Sequence, residues 1–446
     1  MLTVLRSSGT HLIVAYTLLS IGAAVSYGIY SSLALLFVCA AFLFLCLSLA
    51  RDRRNEPFIF STTVLTLCLA SLLFTSLHHA PLLYAKHLWF IALYRLTATL
   101  LLILLPFAHL LPFHCMRALQ LPLTIAGITV ALFLRFAVPI ASPSPIIDVF
   151  AMSQESSQHF LEGRNPYRTP ITDVYQGGEN FGYDSQAYIY PPASLFLRAL
   201  GVLLTGDARY VSALAETIFC VVLWYLLRRE SSQKRELLLL MFVWHPASLF
   251  VIEQAWMEPL LLMLLAAAIV AYIKHRSYIS SALLGYMISA KQSLVFFLVH
   301  WLLLERRVSR LLLGVCVGFF TILPFVVWDT QSLIERGFLF TLLTPFRTDA
   351  LTLSSFVFRQ FAIKTSVLWT LGIGVGMTVF TSWYFWKRQG TVSYLSAGAL
   401  TTFALFLFGS QAFCNYYYFV GGMLLLLIAL RAGKSEEMAV SVMERS

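Results

Sequence analysis

The sequence has few charged residues. Only 12% of its 446 residues are Asp, Glu, Lys or Arg, and 59% are hydrophobic, whereas soluble domains carry roughly 25% charged residues. The windows 33–49, 261–273 and 423–430 contain no charge at all. Apolar stretches of about 20 residues, the length that a helix needs to cross a bilayer, recur from end to end. The composition excludes an ordinary soluble globule. It predicts an all-α, polytopic helical membrane protein with roughly twelve to fourteen transmembrane helices.

The sequence also lacks paired cysteines, long basic stretches and internal repeats. Its seven cysteines are scattered singly without a C-x-x-C pair, which argues against a disulfide framework and a zinc site. The net charge of +10 comes from short Lys/Arg clusters that are not interleaved with aromatic residues, so we expect no nucleic-acid partner. We expect membrane lipids to surround the protein as its partners instead.

The Lys/Arg clusters predict the topology, because such clusters mark cytoplasmic loops. They are Arg51–Arg54, Arg228–Arg235, Lys274–Arg276, Arg306–Arg310, Lys387–Arg388 and Arg431–Lys434. This assignment puts two polar intervals, 141–190 and 329–364, outside the cytoplasm. Segments 237–252 and 311–328 are each expected to cross as one helix. The apolar piece 194–205, about a dozen residues, is short enough to be re-entrant.

The same pattern divides the chain into four regions. They are N-terminal transmembrane helices at 1–118, a core at 119–330 with the first outer loop at 141–190, the second outer loop and C-terminal helices at 331–430, and a tail at 431–446. The tail is polar, and we expect it to be cytoplasmic and disordered.

Three short motifs resemble a known family. The segments Asp148-Val149-Phe150, Gly163-Arg164-Asn165-Pro166-Tyr167 and Tyr190-Pro191-Pro192 resemble the GT-C superfamily of integral-membrane glycosyltransferases, in particular bacterial polyprenyl-phosphate-mannose-dependent mannosyltransferases. In that branch the first large extracytoplasmic loop carries the catalytic acid, then Gly-x-Asn-Pro-Tyr, then Tyr-Pro-Pro. The chain departs from the pattern in two respects. Four spans precede the helix leading to Asp148, where the superfamily usually has one, and a single acid stands where some relatives carry two.

The resemblance implies a GT-C-like fold whose two extracytoplasmic loops form the roof of the active site. It also implies an inverting transfer of a hexose, most simply mannose, from a polyprenyl-phosphate donor to an extracytoplasmic glycolipid, glycan or protein acceptor. Such a single displacement needs one base to take the acceptor proton. Asp148, where a helix leaves the bilayer, is the predicted base; the structural alternative is a helix-end acid or N-cap.

The leaving phosphate gains negative charge and needs a nearby cation. Lys291 interrupts an apolar run, and an ionisable residue at such depth predicts a functional site; the alternative for it and for Arg347 is a solvated loop charge. The predicted substrate-binding residues are Arg164, Asn165, Tyr167, Tyr190, Glu253, Gln254, Glu258, Lys291, Gln292, Arg347, Asn415 and Tyr416. Asn165-Pro166-Tyr167 could equally be a turn. No metal or other cofactor is expected, because a leaving group with a single phosphate does not require a divalent ion.

Two other functions compete with this interpretation. A transporter or flippase of lipid-linked sugars often shows related halves with broken helices at mid-membrane, but this sequence has no repeat and its polar residues cluster at one face. An acyltransferase or ligase would need an activated His or Ser, and no such constellation stands out. The sequence therefore favours a glycosyltransferase of the bacterial inner membrane with an extracytoplasmic active site.

Overall fold

The computed structural model of the chain describes residues 7–53, 58–110, 118–175 and 188–443. The named elements in these ranges are helices. Their first half comprises α1 (Ser8–Val25), α2 (Ser32–Arg53), α3 (Thr62–His78), α4 (Leu88–Leu110), α5 (Gln120–Ala141), α6 (Asp148–Leu161), α7 (Pro192–Thr205), α8 (Tyr210–Leu226) and α9 (Ser232–Val243).

The second half completes the bundle. It comprises α10 (Ser248–Glu253), α11 (Glu258–Ile273), α12 (Ser277–Ile288), α13 (Gln292–Leu303, mixed 3₁₀ and α turns), α14 (Val308–Ile334), α15 (Leu353–Phe361), α16 (Val367–Phe385), α17 (Thr391–Phe408) and α18 (Cys414–Met443). The polytopic all-helical fold expected from the sequence is confirmed.

Within the described ranges, eight helices are long and apolar enough to cross a membrane, or up to nine if the bent pair α7–α8 counts as one span. Four shorter apolar helices, α3, α11, α12 and α13, accompany them. The expected twelve to fourteen spans therefore require these shorter helices to cross as well. The axes of α7 and α8 differ by 107°, so this pair is not one straight span, and its re-entrant course stays a prediction.

One end of the bundle gathers four of the basic clusters. The carboxylate of Asp52, near the end of α2, forms an ion pair with Arg431 at 2.9 Å, and the backbone carbonyl of Asp52 accepts from Arg388 at 3.0 Å. Arg306 lies over the ring of Trp386, 4.8 Å from its centroid. We call this end the basic end. Clusters that are far apart in sequence thus share one side of the bundle, as their cytoplasmic assignment requires.

The opposite end of α2 leads to the predicted outer loops. Tyr30 donates its backbone N–H to the carbonyl of Asp349 at 2.7 Å, and Ile29 forms an isolated antiparallel bridge with Ala350. The 22 residues of α2 span roughly 33 Å, about the thickness of a bilayer core. The basic end and the outer loops therefore lie on opposite sides of a membrane-thick bundle.

A buried ion pair holds the middle of the bundle together. Arg135 of α5 contacts Glu216 of α8 at 2.5 Å, and both side chains are almost fully buried. Ser248 and Tyr418 donate to the same carboxylate at 2.6 and 2.7 Å. Since removing one member would leave an uncompensated buried charge, this network holds α5, α8, α10 and α18 together.

The expected single helix over 237–252 is wrong. The structure ends α9 at Val243 and starts α10 at Ser248. Pro246 lies in the break; it has no N–H to donate and disfavours helical geometry at the residue before it. Hydropathy alone did not distinguish this interrupted pair from a continuous span.

The second outer loop and the C-terminal tail are more helical than expected. The helix expected to end at Trp328 continues with a kink at Asp329 (φ −162°, ψ 91°), and a π-helical segment, Glu335–Leu339, follows it. The polar tail from Arg431 was expected to be disordered, whereas α18 continues to Met443. Both segments are more polar than the helices before them, but they still consist largely of residues that are compatible with a helix. The predicted boundaries therefore marked changes in polarity rather than ends of helices.

A glycine contact between α12 and α14 supplies a test of this packing. A methyl group on Gly285 would stand 1.9 Å from the carbonyl oxygen of Gly314, whereas one on Gly372 would meet nothing within 4 Å. We expect Gly285→Ala to lower the stability by about 1–3 kcal/mol through overpacking, and Gly372→Ala to leave it unchanged. Thermal unfolding in detergent measures both variants. Equal midpoints would contradict the helix contact.

Candidate active site

A cavity of about 440 Å³ opens at the end of the bundle opposite the basic end. Its size lies within the range of small-molecule sites, ~300–1,000 Å³. It combines polar and aromatic side chains from widely separated parts of the chain. Its wall includes Tyr27, Tyr84, Asp148, Tyr175, Tyr190, Gln254, Trp256, Lys291, Gln292, Arg347, Asp349, Gln411, Phe413, Asn415 and Tyr416.

Asp148 is the first residue of α6 and lies on the cavity wall. Only 8% of the residue is exposed. Its Oδ1 accepts from the backbone N–H of Val149 at 2.8 Å and from the hydroxyl of Tyr175 at 3.4 Å. The N-cap residue is Ile147 rather than Asp148. The helix N-terminus stabilises negative charge, so this position suits a carboxylate on the cavity wall.

Lys291 lies on the same cavity wall, between α12 and α13. Its ammonium group pairs with Oε1 of Glu258 and lies 4.2 Å from the centroid of the Tyr416 ring. Asn415 donates to the same carboxylate oxygen at 2.9 Å. Burial lowers the pKa of Lys291, but attraction to Glu258 and Tyr416 outweighs it, so the pKa lies above its ordinary value. The ion pair and the ring of Tyr416 thus hold the ammonium group of Lys291 at the cavity wall.

Arg347 lies on the wall contributed by the second outer interval. It donates to both oxygens of Asp349, at 2.8 and 2.7 Å, and its guanidinium lies 4.9 Å from the centroid of the Phe413 ring. Burial raises the pKa of Asp349, but Arg347 more than offsets this and holds it below the ordinary value. The bidentate pair fixes the guanidinium beside the cavity.

Two amides also reach the cavity. Gln292 donates to the carbonyls of Ile189 and Gly337 at 2.9 and 2.8 Å, which ties the start of α13 to both outer intervals. Gln254 lies at the end of α10 and donates to Glu253 at 3.4 Å. Both residues were among the predicted binding residues, and both line the wall.

The Gly-x-Asn-Pro-Tyr segment lies beside the cavity rather than on its wall. Asn165 Oδ1 accepts from the backbone N–H of Tyr167 at 3.0 Å, which is the turn that the sequence allowed. The hydroxyl of Tyr167 donates to the carbonyl of Tyr190 at 2.7 Å. Arg164 is half-exposed and pairs with Glu162. In this structure the motif supports Tyr190, which itself lines the cavity.

Glu253 also lies behind the wall. Its two carboxylate oxygens accept from the backbone N–H groups of Leu83 and Tyr84, at 2.7 and 2.9 Å. Burial raises the pKa of Glu253 above its ordinary value, although these N–H groups and nearby side chains oppose the shift. Glu253 thereby holds the 80–87 segment so that Tyr84 reaches the cavity.

Replacing Glu253 tests whether its carboxylate supports the fold by holding the 80–87 segment. We expect Glu253→Ala to lower the stability by about 1–3 kcal/mol, because two backbone N–H groups lose their acceptor. Glu253→Gln retains one carbonyl oxygen and should lose less. Thermal unfolding in detergent measures the series. If Glu253→Ala unfolds at the wild-type temperature, the carboxylate does not hold this segment.

Sequence reasoning missed several wall residues. Tyr27 follows α1 and Tyr84 lies between α3 and α4, and neither belongs to a local motif; only the packing of α1 to α4 against the core brings them to the cavity. Tyr175 and Trp256 were predictable only as interfacial aromatics. In the described part of the chain, no group of three or more His, Cys, Asp or Glu could hold a metal ion; that none is needed stays a prediction.

The fold and the cavity define a polytopic helical membrane protein with a site of acidic, basic and aromatic side chains at one end of its bundle. Residues 188–410, half of the chain, match the model of glycosyltransferase family 87. The chain belongs to this family of membrane-embedded GT-C-type glycosyltransferases. The match includes Tyr190, Lys291 and Arg347 but begins after Asp148. No curated protein and no solved structure matches the chain.

Proposed function

We propose that this glycosyltransferase transfers a hexose, most simply mannose, from a polyprenyl-phosphate donor to an acceptor outside the cytoplasm, with inversion at the anomeric carbon. One observation carries the proposal: a carboxylate, Asp148, and a buried ammonium group, Lys291, line the same cavity. The reaction needs a base for the acceptor and a cation for the leaving phosphate.

The proposed step is a single displacement. The acceptor hydroxyl oxygen attacks the anomeric carbon while the bond from that carbon to the phosphate oxygen breaks. The acceptor proton passes to Asp148, and polyprenyl monophosphate leaves with one additional negative charge. Lys291 stabilises that charge. Because the two groups stand on opposite sides of the reacting carbon in this proposal, the configuration inverts.

The remaining wall residues suit a sugar ring and its acceptor. Gln254 and Asn415 offer amides for hydroxyl groups, and Trp256 and Tyr416 offer apolar ring faces. A sugar has apolar C–H faces and polar hydroxyl groups. Aromatic rings pack against the C–H faces, and amides form hydrogen bonds with the hydroxyl groups. The acceptor is proposed only by class: a glycolipid, a glycan or a protein.

A donor comparison tests the proposal. Purified protein in proteoliposomes should transfer radiolabelled mannose from a synthetic polyprenyl-phosphate mannose to an extracted cell-envelope acceptor. The nucleotide sugar should support no transfer in the same vesicles. Absence of transfer from every lipid-phosphate sugar, together with measurable movement of the lipid-linked sugar across the bilayer, would establish a flippase instead.

The proposed orientation follows from the basic end, which the positive-inside rule assigns to the cytoplasm. In a cysteine-free background, Thr172→Cys near the cavity end should react with a membrane-impermeant thiol reagent added to intact bacterial cells. Lys387→Cys at the basic end should react only after permeabilisation. Both side chains are exposed in the structure. The reversed labelling pattern would place the cavity in the cytoplasm.

A further inference from the structure

A second buried cation lies behind the cavity wall. Arg198 of α7 is 1% exposed, and its Nε donates to the sulfur of Met257 at 3.3 Å. Among the residues that the structure describes, its Nη2 has no hydrogen-bond partner. A buried guanidinium without an anion is costly by several kcal/mol. An anion within reach of Arg198 would remove that cost.

Glu258 follows Met257, the residue that Arg198 contacts. Its carboxylate is among the electrostatic neighbours of Arg198. Oε1 of Glu258 holds Lys291 and Asn415, whereas its Oε2 has no partner among the described residues. One buried carboxylate thus stands between a cation on the cavity wall and a cation behind it.

The net charge of Lys291, Arg198 and Glu258 is equal and opposite to that of the donor phosphate. Two cations and one carboxylate leave a formal charge of +1, and the phosphodiester of the proposed donor carries one negative charge. Lys291 carries a single positive charge, which its contact with Glu258 already neutralises, so the donor phosphate and Glu258 compete for it. A displaced carboxylate without a new partner would be a buried, uncompensated charge.

We propose that Glu258 exchanges partners during donor binding: it pairs with Lys291 before the donor binds and turns to Arg198 when the donor phosphate pairs with Lys291. Arg198 is therefore a positioning residue that acts through Glu258. This inference rests on the proposed polyprenyl-phosphate donor. Arg198 itself is not on the cavity wall, which favours an indirect role over direct contact with the phosphate.

Binding of a radiolabelled short-chain polyprenyl monophosphate, the leaving group of the proposed reaction, tests the exchange in detergent micelles. Arg198→Met should weaken this binding by about tenfold, equivalent to ~1.4 kcal/mol and within the range of coupled neighbours. Arg198→Lys should restore much of it. The KM for the acceptor should not change in Arg198→Met.

The decisive comparison repeats Arg198→Met in a Glu258→Gln background. There Lys291 no longer has a carboxylate to release, so the additional loss should fall below about twofold. The same tenfold loss in both backgrounds would overturn the exchange, and so would unchanged affinity in Arg198→Met alone. Thermal unfolding of each variant confirms that it is folded.

The two proposals fail in different ways. If the wild type binds the monophosphate with the predicted coupling but transfers no sugar, the proposed function is wrong and the exchange stands as an anion-binding device. If it transfers sugar but the two substitutions act additively, only the exchange is wrong. A wild type that does not bind the monophosphate overturns the exchange directly.

Discussion

Replacing Asp148 by asparagine is expected to lower kcat by about 10²–10⁴-fold, the usual contribution of a general base. Asparagine keeps the size of the side chain and an oxygen that can accept from Val149 and Tyr175, as Oδ1 of Asp148 does. It cannot take the acceptor proton. Donor affinity should therefore stay within about twofold of the wild type, because the loss belongs to the transition state.

Glu162→Gln supplies the matched control for this substitution. Glu162 follows the C-terminus of α6, the same helix that Asp148 begins, and more than half of its side chain is exposed. The change removes one carboxylate from the same interval without touching the cavity wall. Initial transfer rates at saturating donor should be normal in Glu162→Gln and nearly lost in Asp148→Asn. A comparable decrease in both would point to a general electrostatic effect.

The second large effect is expected at Lys291. Lys291→Met removes the ammonium that faces the proposed leaving phosphate and should lower kcat/KM for the donor by about 10²–10³-fold. The loss should include weaker binding of the polyprenyl monophosphate, in contrast to Asp148→Asn. Initial rates over a range of donor concentrations measure kcat/KM, and binding of the radiolabelled monophosphate measures the affinity. Normal kcat/KM in Lys291→Met would remove this residue from the phosphate site.

The stability of variants provides an independent test of the cluster formed by Lys291, Glu258 and Arg198. With Lys291 replaced, Glu258 can still turn to Arg198, so Lys291→Met should be destabilised only modestly. Replacing both cations by methionine leaves the buried carboxylate without any counter-charge, which should destabilise by about 3–5 kcal/mol. Adding Glu258→Gln to that double variant should recover most of the loss. Thermal unfolding of the series decides whether Arg198 and Lys291 share one carboxylate.

The sequence predicted the cavity residues that interrupt apolar runs at the outer ends of helices. Asp148, Lys291, Gln292, Asn415 and Tyr416 all break hydrophobic segments, and all line the cavity. Polar residues in such positions are informative because the membrane makes them costly. Their convergence follows from the topology, which puts these helix ends on one side.

Other features depended on contacts that no local pattern encodes. Glu253 and Glu258 stand five residues apart in one predicted motif, yet the first accepts from backbone N–H groups and the second pairs with Lys291. Arg198 lies in a short amphipathic segment, where a snorkelling cation is the ordinary expectation. Only tertiary packing distinguishes a supporting acid from one beside the site, or a buried arginine from a lipid-facing one.

The central claim is that Asp148 and Lys291 perform separate tasks in one cavity. The most direct measurement determines, side by side, the dissociation constant of the lipid-phosphate sugar and the single-turnover transfer rate of the bound donor. Asp148→Asn should bind the donor normally and transfer it at least about 10²-fold more slowly, whereas Lys291→Met should bind it weakly. Transfer by Asp148→Asn at the wild-type rate would contradict the account.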